Sequence, residues 1–150
     1  MLVATLAVFE GTDPVLVARP KLPTGASLVS ADLTGSSDYT LTVYDLSSST
    51  PTTALLTETG AGAGASTSNI STEPVVATAV QALSSTYGGI WGELGRGATG
   101  YTVLYRILQS DLSATMEGGH QYAVELSLLT TVYGRIRRKW LIHCLPLLGA

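Results

Sequence analysis

Two histidines, one cysteine and a scatter of carboxylates are the side chains of this 150-residue sequence with the most reactive chemistry. His143 and Cys144 are adjacent, which suggests a thiolate pair. They lie in an apolar run with strand character, and neighbours in a strand point to opposite faces, so the two side chains cannot meet. A cysteine nucleophile would need His120 folded onto it instead. Neither HExxH nor CxxC occurs, and no carboxylate stands at ligand spacing from either histidine, so no metal site is expected. Serines are plentiful, yet no G-x-S-x-G elbow is present. Gly95-Arg96-Gly97-Ala98-Thr99-Gly100 contains G-x-G-x-x-G, but a strand follows it where a dinucleotide site needs a helix. Neither this stretch nor residues 60–65 ends in the Lys-Ser/Thr of a phosphate loop. Asp111, Glu117 and Glu125 could approach one another across a hairpin, but nothing marks them as a glycosidase pair. Asn69-Ile70-Ser71 is a glycosylation sequon, meaningful only in a secretory host. The expectation is a protein that is not an enzyme and carries no cofactor.

One charged constellation remains. Arg135-Ile136-Arg137-Arg138-Lys139 holds half of the basic residues of the chain. In a strand, Arg135, Arg137 and Lys139 share one face, about 6.5–7 Å apart, and Ile136, Arg138 and Trp140 share the other. A solvated strand that blocks edge pairing would look like this. So would a contact to an acidic partner surface, which is the reading favoured here, because such charges steer docking and fix register. Nucleic acid fits poorly: net charge is −3 and no aromatic-interleaved basic surface is evident. Tyr87, Trp91, Tyr101, Tyr105, Tyr122, Tyr133 and Trp140 crowd the C-terminal half. A sugar-stacking platform is one reading. Core and interface aromatics is the preferred one, because the rings fall on alternating strand positions.

The elements that must position these residues read as strands. Apolar runs at 2–9 and 14–19 are separated by the turn Gly11-Thr12-Asp13-Pro14. The first has no basic start and is interrupted by Glu10, so it reads as a strand and not as a signal peptide. The prolines flanking the second suggest a sheet edge or entry from a loop. Residues 26–29 could form a short strand. Residues 39–45 alternate cleanly, with Tyr39, Leu41 and Val43 on one face. Residues 54–57 extend the pairing. The Gly/Ala/Ser stretch at 60–68 reads as a flexible loop, or as an arm that orders against a neighbour. Residues 74–83 and 90–94 are further strand candidates, the former with some helical character. Three strands follow at 101–107, 122–129 and 134–144, with turn signals at Gly118-Gly119 and at 130–134. Close succession makes them antiparallel neighbours, a C-terminal β-meander. The expected core includes Leu41, Val43, Tyr101, Val103, Val124, Leu126 and Trp140.

The chain therefore reads as one all-β domain over residues 1–150: an antiparallel β-sandwich, or a small barrel, of about seven to nine short strands. No run approaches the roughly 18 apolar residues of a membrane helix, so no membrane partner is expected. The lone Cys144 excludes an internal disulfide. Charged residues make up 13% of the chain, against about 25% in ordinary domains. A surface of Ser, Thr, Gly and Ala loses little side-chain entropy on burial, and interfaces deplete Lys and Glu. That composition suits assembly.

The pattern Trp91, Gly100-Tyr101, Tyr105, Glu117-Gly118-Gly119, Tyr122, Val124-Glu125 and Gly134 resembles small β-sandwich structural proteins of tailed bacteriophages. The likeness covers about the last third of the chain. The N-terminal part is similar only in general character, with a short strand, a G-x-D-P-type turn, and YTLTVYD before a Ser/Thr/Pro loop. The resemblance implies a virion protein assembled in the host cytoplasm. Its partners would be the major capsid protein or other virion proteins, and it would form a homo-oligomer, dimer or trimer. Capsid decoration (cement) is the favoured role. A neck or baseplate attachment protein is the alternative within the class, and a carbohydrate- or receptor-binding module is the alternative outside it. A β-barrel enzyme ranks last.

Overall fold

The computed structural model describes residues 3–34, 39–60, 75–76 and 100–148. Among these the regular structure is all-β, apart from two single 3₁₀ turns at Ser30–Asp32 and Gln109–Asp111. The strands are β1 (Val3–Phe9), β2 (Val15–Ala18), β3 (Tyr39–Asp45), β4 (Ala54–Gly60), β5 (Val75–Val76), β6 (Val103–Arg106), β7 (Gln121–Thr130) and β8 (Gly134–Leu145). They form a five-stranded sheet in the order β1-β8-β7-β3-β4 and a three-stranded sheet in the order β2-β6-β5. The first strand lies parallel to the last, with Val3 opposite Lys139 and Phe9 opposite Leu145. All other named pairs are antiparallel.

The large sheet owes its register to alternation. Every second residue of β3 is buried: Tyr39, Leu41, Val43 and Asp45. The same parity in β7 buries Tyr122, Val124, Leu126 and Leu128, and in β8 it buries Trp140, Ile142 and Cys144. A one-residue slip would turn all of them to solvent, so the register is strongly specified. Val43, Val124, Trp140 and Ala4 stand in one core-facing row across four strands. The small sheet contributes Leu16, Ala18, Val76, Val103 and Tyr105 to the same apolar cluster. Trp140 ties the two sheets together by donating its indole N–H to the Val17 carbonyl at 3.2 Å. Each fully buried side chain of this kind stabilises the fold by about 1.5–3 kcal/mol relative to exposure.

Three expectations are corrected. The strand expected at 101–107 is shorter and does not join a meander: β6 lies in the three-stranded sheet between β2 and β5. The connection from Ile107 to His120 buries Leu112 and Met116 in the core and so carries the chain from one sheet to the other. Gln109 pins this corner. Its backbone N–H donates to Asp13 at 2.9 Å, its side-chain amide donates to the Thr12 carbonyl at 2.8 Å, and its side-chain oxygen accepts from the Met116 N–H at 2.8 Å. Tyr101, expected in the core, precedes β6 and is only half-buried; the other six expected core residues are buried. Residues 26–29 form no strand. A single bridge joins Lys21 and Ser27, although Leu28 is fully buried.

β7 and β8 form the expected hairpin. Its turn is closed by Thr130, whose hydroxyl accepts from the Tyr133 N–H and donates to the Gly134 carbonyl. β2 lies at a sheet edge, as its flanking prolines suggested. Of residues 74–83 only the two-residue β5 is described. The expectations for 61–68, for the sequon at 69–71, for 90–94 including Trp91, for Tyr87 and for 95–99 lie outside the described residues.

At the far end of β8 the chain is packed too closely for any side chain at Gly118. A Cβ there would lie 2.5 Å from Cα of Pro146. Glu10 locks the same corner, accepting from the Gly118 N–H at 3.1 Å and the Leu147 N–H at 2.9 Å.

Candidate functional site

The outward face of the five-stranded sheet carries the residues that the core does not use. Reading across the strands, Arg137, Ser127, Thr40 and Thr59 form one row, and Val3, Lys139, Glu125, Thr42 and Thr57 form the next. Beyond them lies Thr5, Leu141, Ala123, Tyr44 and Ala54, and last come Ala7 with His143 and Phe9 with Leu145. The face is graded. Cations and hydroxyls sit at the hairpin end of β8, and mostly apolar side chains, with Gln121 and His143 among them, sit at its other end.

Arg135, Arg137 and Lys139 all project from this face, as strand parity requires. They are not equivalent. Lys139 is half-buried and pairs with Glu125 at 3.3 Å. Arg135 donates to the Ser127 hydroxyl at 3.2 Å. Arg135 and Arg137 are exposed, and among the described residues neither meets a carboxylate. Thr40, Thr42, Glu125, Ser127, Arg135 and Arg137 border an open depression of about 360 Å³. Such a surface offers two guanidinium forks and several hydroxyls to an acidic or carbonyl-rich partner. Arg138 faces the other way, between Ile136 and Trp140, and its Nε is buried without a hydrogen-bond partner among the described residues.

The second cluster was missed in the sequence. His120 Nδ1 lies 2.8 Å from Asp45 Oδ2, and its Nε2 lies 3.5 Å from Glu117 Oε2. The imidazole also stacks on Tyr122 with ring centroids 6.2 Å apart. The hydrogen bond to Asp45 raises the His120 pKa, partial desolvation works against it, and the charges of Asp45 and Glu117 add to the rise. Asp45 is held in turn by the Ser47 N–H at 2.9 Å, and Tyr122 accepts from the Glu117 N–H at 2.7 Å. With both ring nitrogens facing carboxylates, the arrangement suits a structural imidazolium clasp. A signal for it existed: parity puts Asp45 on the core-facing side of β3, where a carboxylate needs a partner, and His120 continues the core-facing parity of β7.

The remaining candidates separate. His143 is exposed and Cys144 is 2% exposed, so they do face opposite ways; burial raises the Cys144 thiol pKa, with a smaller push from Glu10. Asp111, Glu117 and Glu125 do not form one cluster: Glu117 faces His120, Glu125 pairs with Lys139, and Asp111 acts with Glu58 to add to the burial that raises the Tyr105 pKa. Tyr105, Tyr122 and Trp140 are buried and offer no stacking surface, whereas Tyr133 is exposed at the hairpin turn. Among the described residues no group of three or more His, Cys, Asp and Glu is placed to hold a metal ion. Comparison with protein families, curated proteins and solved structures found no match for this chain.

Proposed function

We propose that this chain is a non-enzymatic structural protein of a tailed-bacteriophage virion, folded as a β-sandwich and acting as an oligomeric capsid decoration protein that stabilises the head. The observation that carries this reading is the outward sheet face, where Arg135 and Arg137 stand exposed, without described carboxylate partners, beside Lys139 and a row of hydroxyls. Arginine is the cation suited to interfaces, because its planar fork meets carboxylates and carbonyls with little further ordering. Low overall charge and the resemblance in the last third of the chain support the same class. On this reading the basic end of the face docks on an acidic surface of the major capsid protein or another virion protein.

The test is the copy number per purified particle, with the triple variant Arg135→Ala, Arg137→Ala and Lys139→Ala beside the wild type. Decoration requires on the order of hundreds of copies, and a neck or baseplate ring about a dozen or fewer. The triple variant should bind the particle at least about tenfold more weakly, and wild-type binding should weaken as salt rises. Wild-type occupancy by the triple variant would remove the docking face from the proposal.

A further inference from the structure

The two edges of the five-stranded sheet are guarded differently. β4 carries Glu58 and ends on Gly60, and the β3–β4 register breaks between Val43 and Tyr44. Inward charges and bulges are devices that discourage another strand from adding. β1 has none of them. Its seven residues, Val-Ala-Thr-Leu-Ala-Val-Phe, include no charge, proline or glycine, and not one is fully buried. Val3 is 50% exposed and Phe9 is 53% exposed. Among the described residues β1 pairs only with β8, so its outer edge presents a row of backbone donors and acceptors. The first charge beyond it, Glu10, is turned away into its bonds with Gly118 and Leu147.

We infer that β1 pairs antiparallel with β1 of a second copy of this chain across a twofold axis, joining two five-stranded sheets into one. The strand is close to self-complementary about Leu6. Antiparallel pairing there sets Val3 opposite Phe9 and Thr5 opposite Ala7 on the outward face, large against large and small against small. On the core-facing side it sets Ala4 opposite Val8 and Leu6 opposite Leu6. Those core-facing residues pack on the apolar cluster but stay only partly buried within one copy, and the row of the second copy covers them. No charge meets a like charge anywhere in the pair. An isologous contact of this kind closes on itself, uses up both β1 edges and leaves only the guarded β4 edges at the two ends of the joined sheet. β1 begins opposite Lys139 and does not reach Arg135 or Arg137, and the pairing uses the outer backbone edge of β1, so it does not depend on what the basic end of β8 docks against.

Sedimentation velocity on the isolated protein across a concentration series tests it. The wild type should be a dimer. Thr5→Lys with Ala7→Lys sets ammonium groups opposite one another in this register and should weaken the dimer by about tenfold or more. Thr5→Lys with Ala7→Glu sets opposite charges together in the same register and should restore it. Both sites are exposed, and a circular-dichroism melt reports whether each variant keeps the fold. A wild type that stays monomeric, one that forms a trimer or larger ring, a double-lysine variant that dimerises like the wild type, or a folded Lys/Glu variant that stays monomeric overturns the inference. The assay contains no particle and leaves Arg135, Arg137 and Lys139 intact, so its failure is separate from failure of the docking reading.

Discussion

The two faces of β8 serve different ends. Toward the core, Trp140, Ile142 and Cys144 are packed against both sheets, and each position is set by the volume left by its neighbours. Away from the core, Arg135, Arg137, Lys139, Leu141 and His143 alternate with them along the same backbone and are set by no such constraint. A two-residue period thus lets one strand carry stability on one side and recognition on the other. The difference teaches where to intervene. Substitution on one face should act on folding, and substitution on the other on binding.

The largest effect should come from Ile142→Ala. The side chain is fully buried, and its loss should cost about 2–5 kcal/mol by urea denaturation. A cost below about 0.5 kcal/mol would mean that the face does not bear the fold. Next is Gly118→Ala at the end of β8, where the added methyl meets Pro146 and crowds Glu10. About 1–3 kcal/mol should be lost, and amide exchange at Gly118 and Leu147 should rise as the Glu10 bonds loosen.

Third is the pH dependence of the His120 clasp. Its pKa is raised in the folded state, chiefly by the bond to Asp45, so the folded chain holds this proton more tightly than the unfolded one. The stabilisation is therefore complete below the ordinary histidine value of about 6.5 and fades as pH climbs through the raised value. Thermal melts should show the midpoint falling across that window, and His120→Asn should flatten the fall. Smallest is the triple change Arg135→Ala, Arg137→Ala and Lys139→Ala, which should leave unfolding free energy within about 0.5 kcal/mol of wild type. A larger loss would show that the outward face also bears the fold, and the contrast between the faces would dissolve.

Local patterns are legible in the sequence and distant pairings are not. Residues 39–45 match β3 end to end, and the expected bounds of β7 and β8 fall within a residue or so of the observed ones, because alternation reports which face is wet. The outward placement of Arg135, Arg137 and Lys139 follows from the same parity. Nothing local says that β1 lies parallel to β8, or that β6 joins β2 and not β7. Those choices follow from the packing of Leu112 and Met116 and from the bonds Gln109 makes to Thr12 and Asp13, residues far away in the chain. Tyr101 misleads because an aromatic ahead of an apolar run looks like its first core residue. His120 and Asp45 each border a turn in the sequence, and their 75-residue separation hides the pair.

The parallel pairing of β1 with β8 also bears on how the chain is made. β1 is synthesised well before β8, the strand it adjoins. At about 5–20 residues per second, Val3 waits roughly seven to twenty-seven seconds for Lys139 to appear. Through that interval an uncharged seven-residue strand has both edges open, in crowded company with its own nascent copies on the same messenger. The arrangement makes yield sensitive to elongation speed and to temperature. Slowing translation over the last two strands should send more of the product to inclusion bodies, without any change in the finished fold.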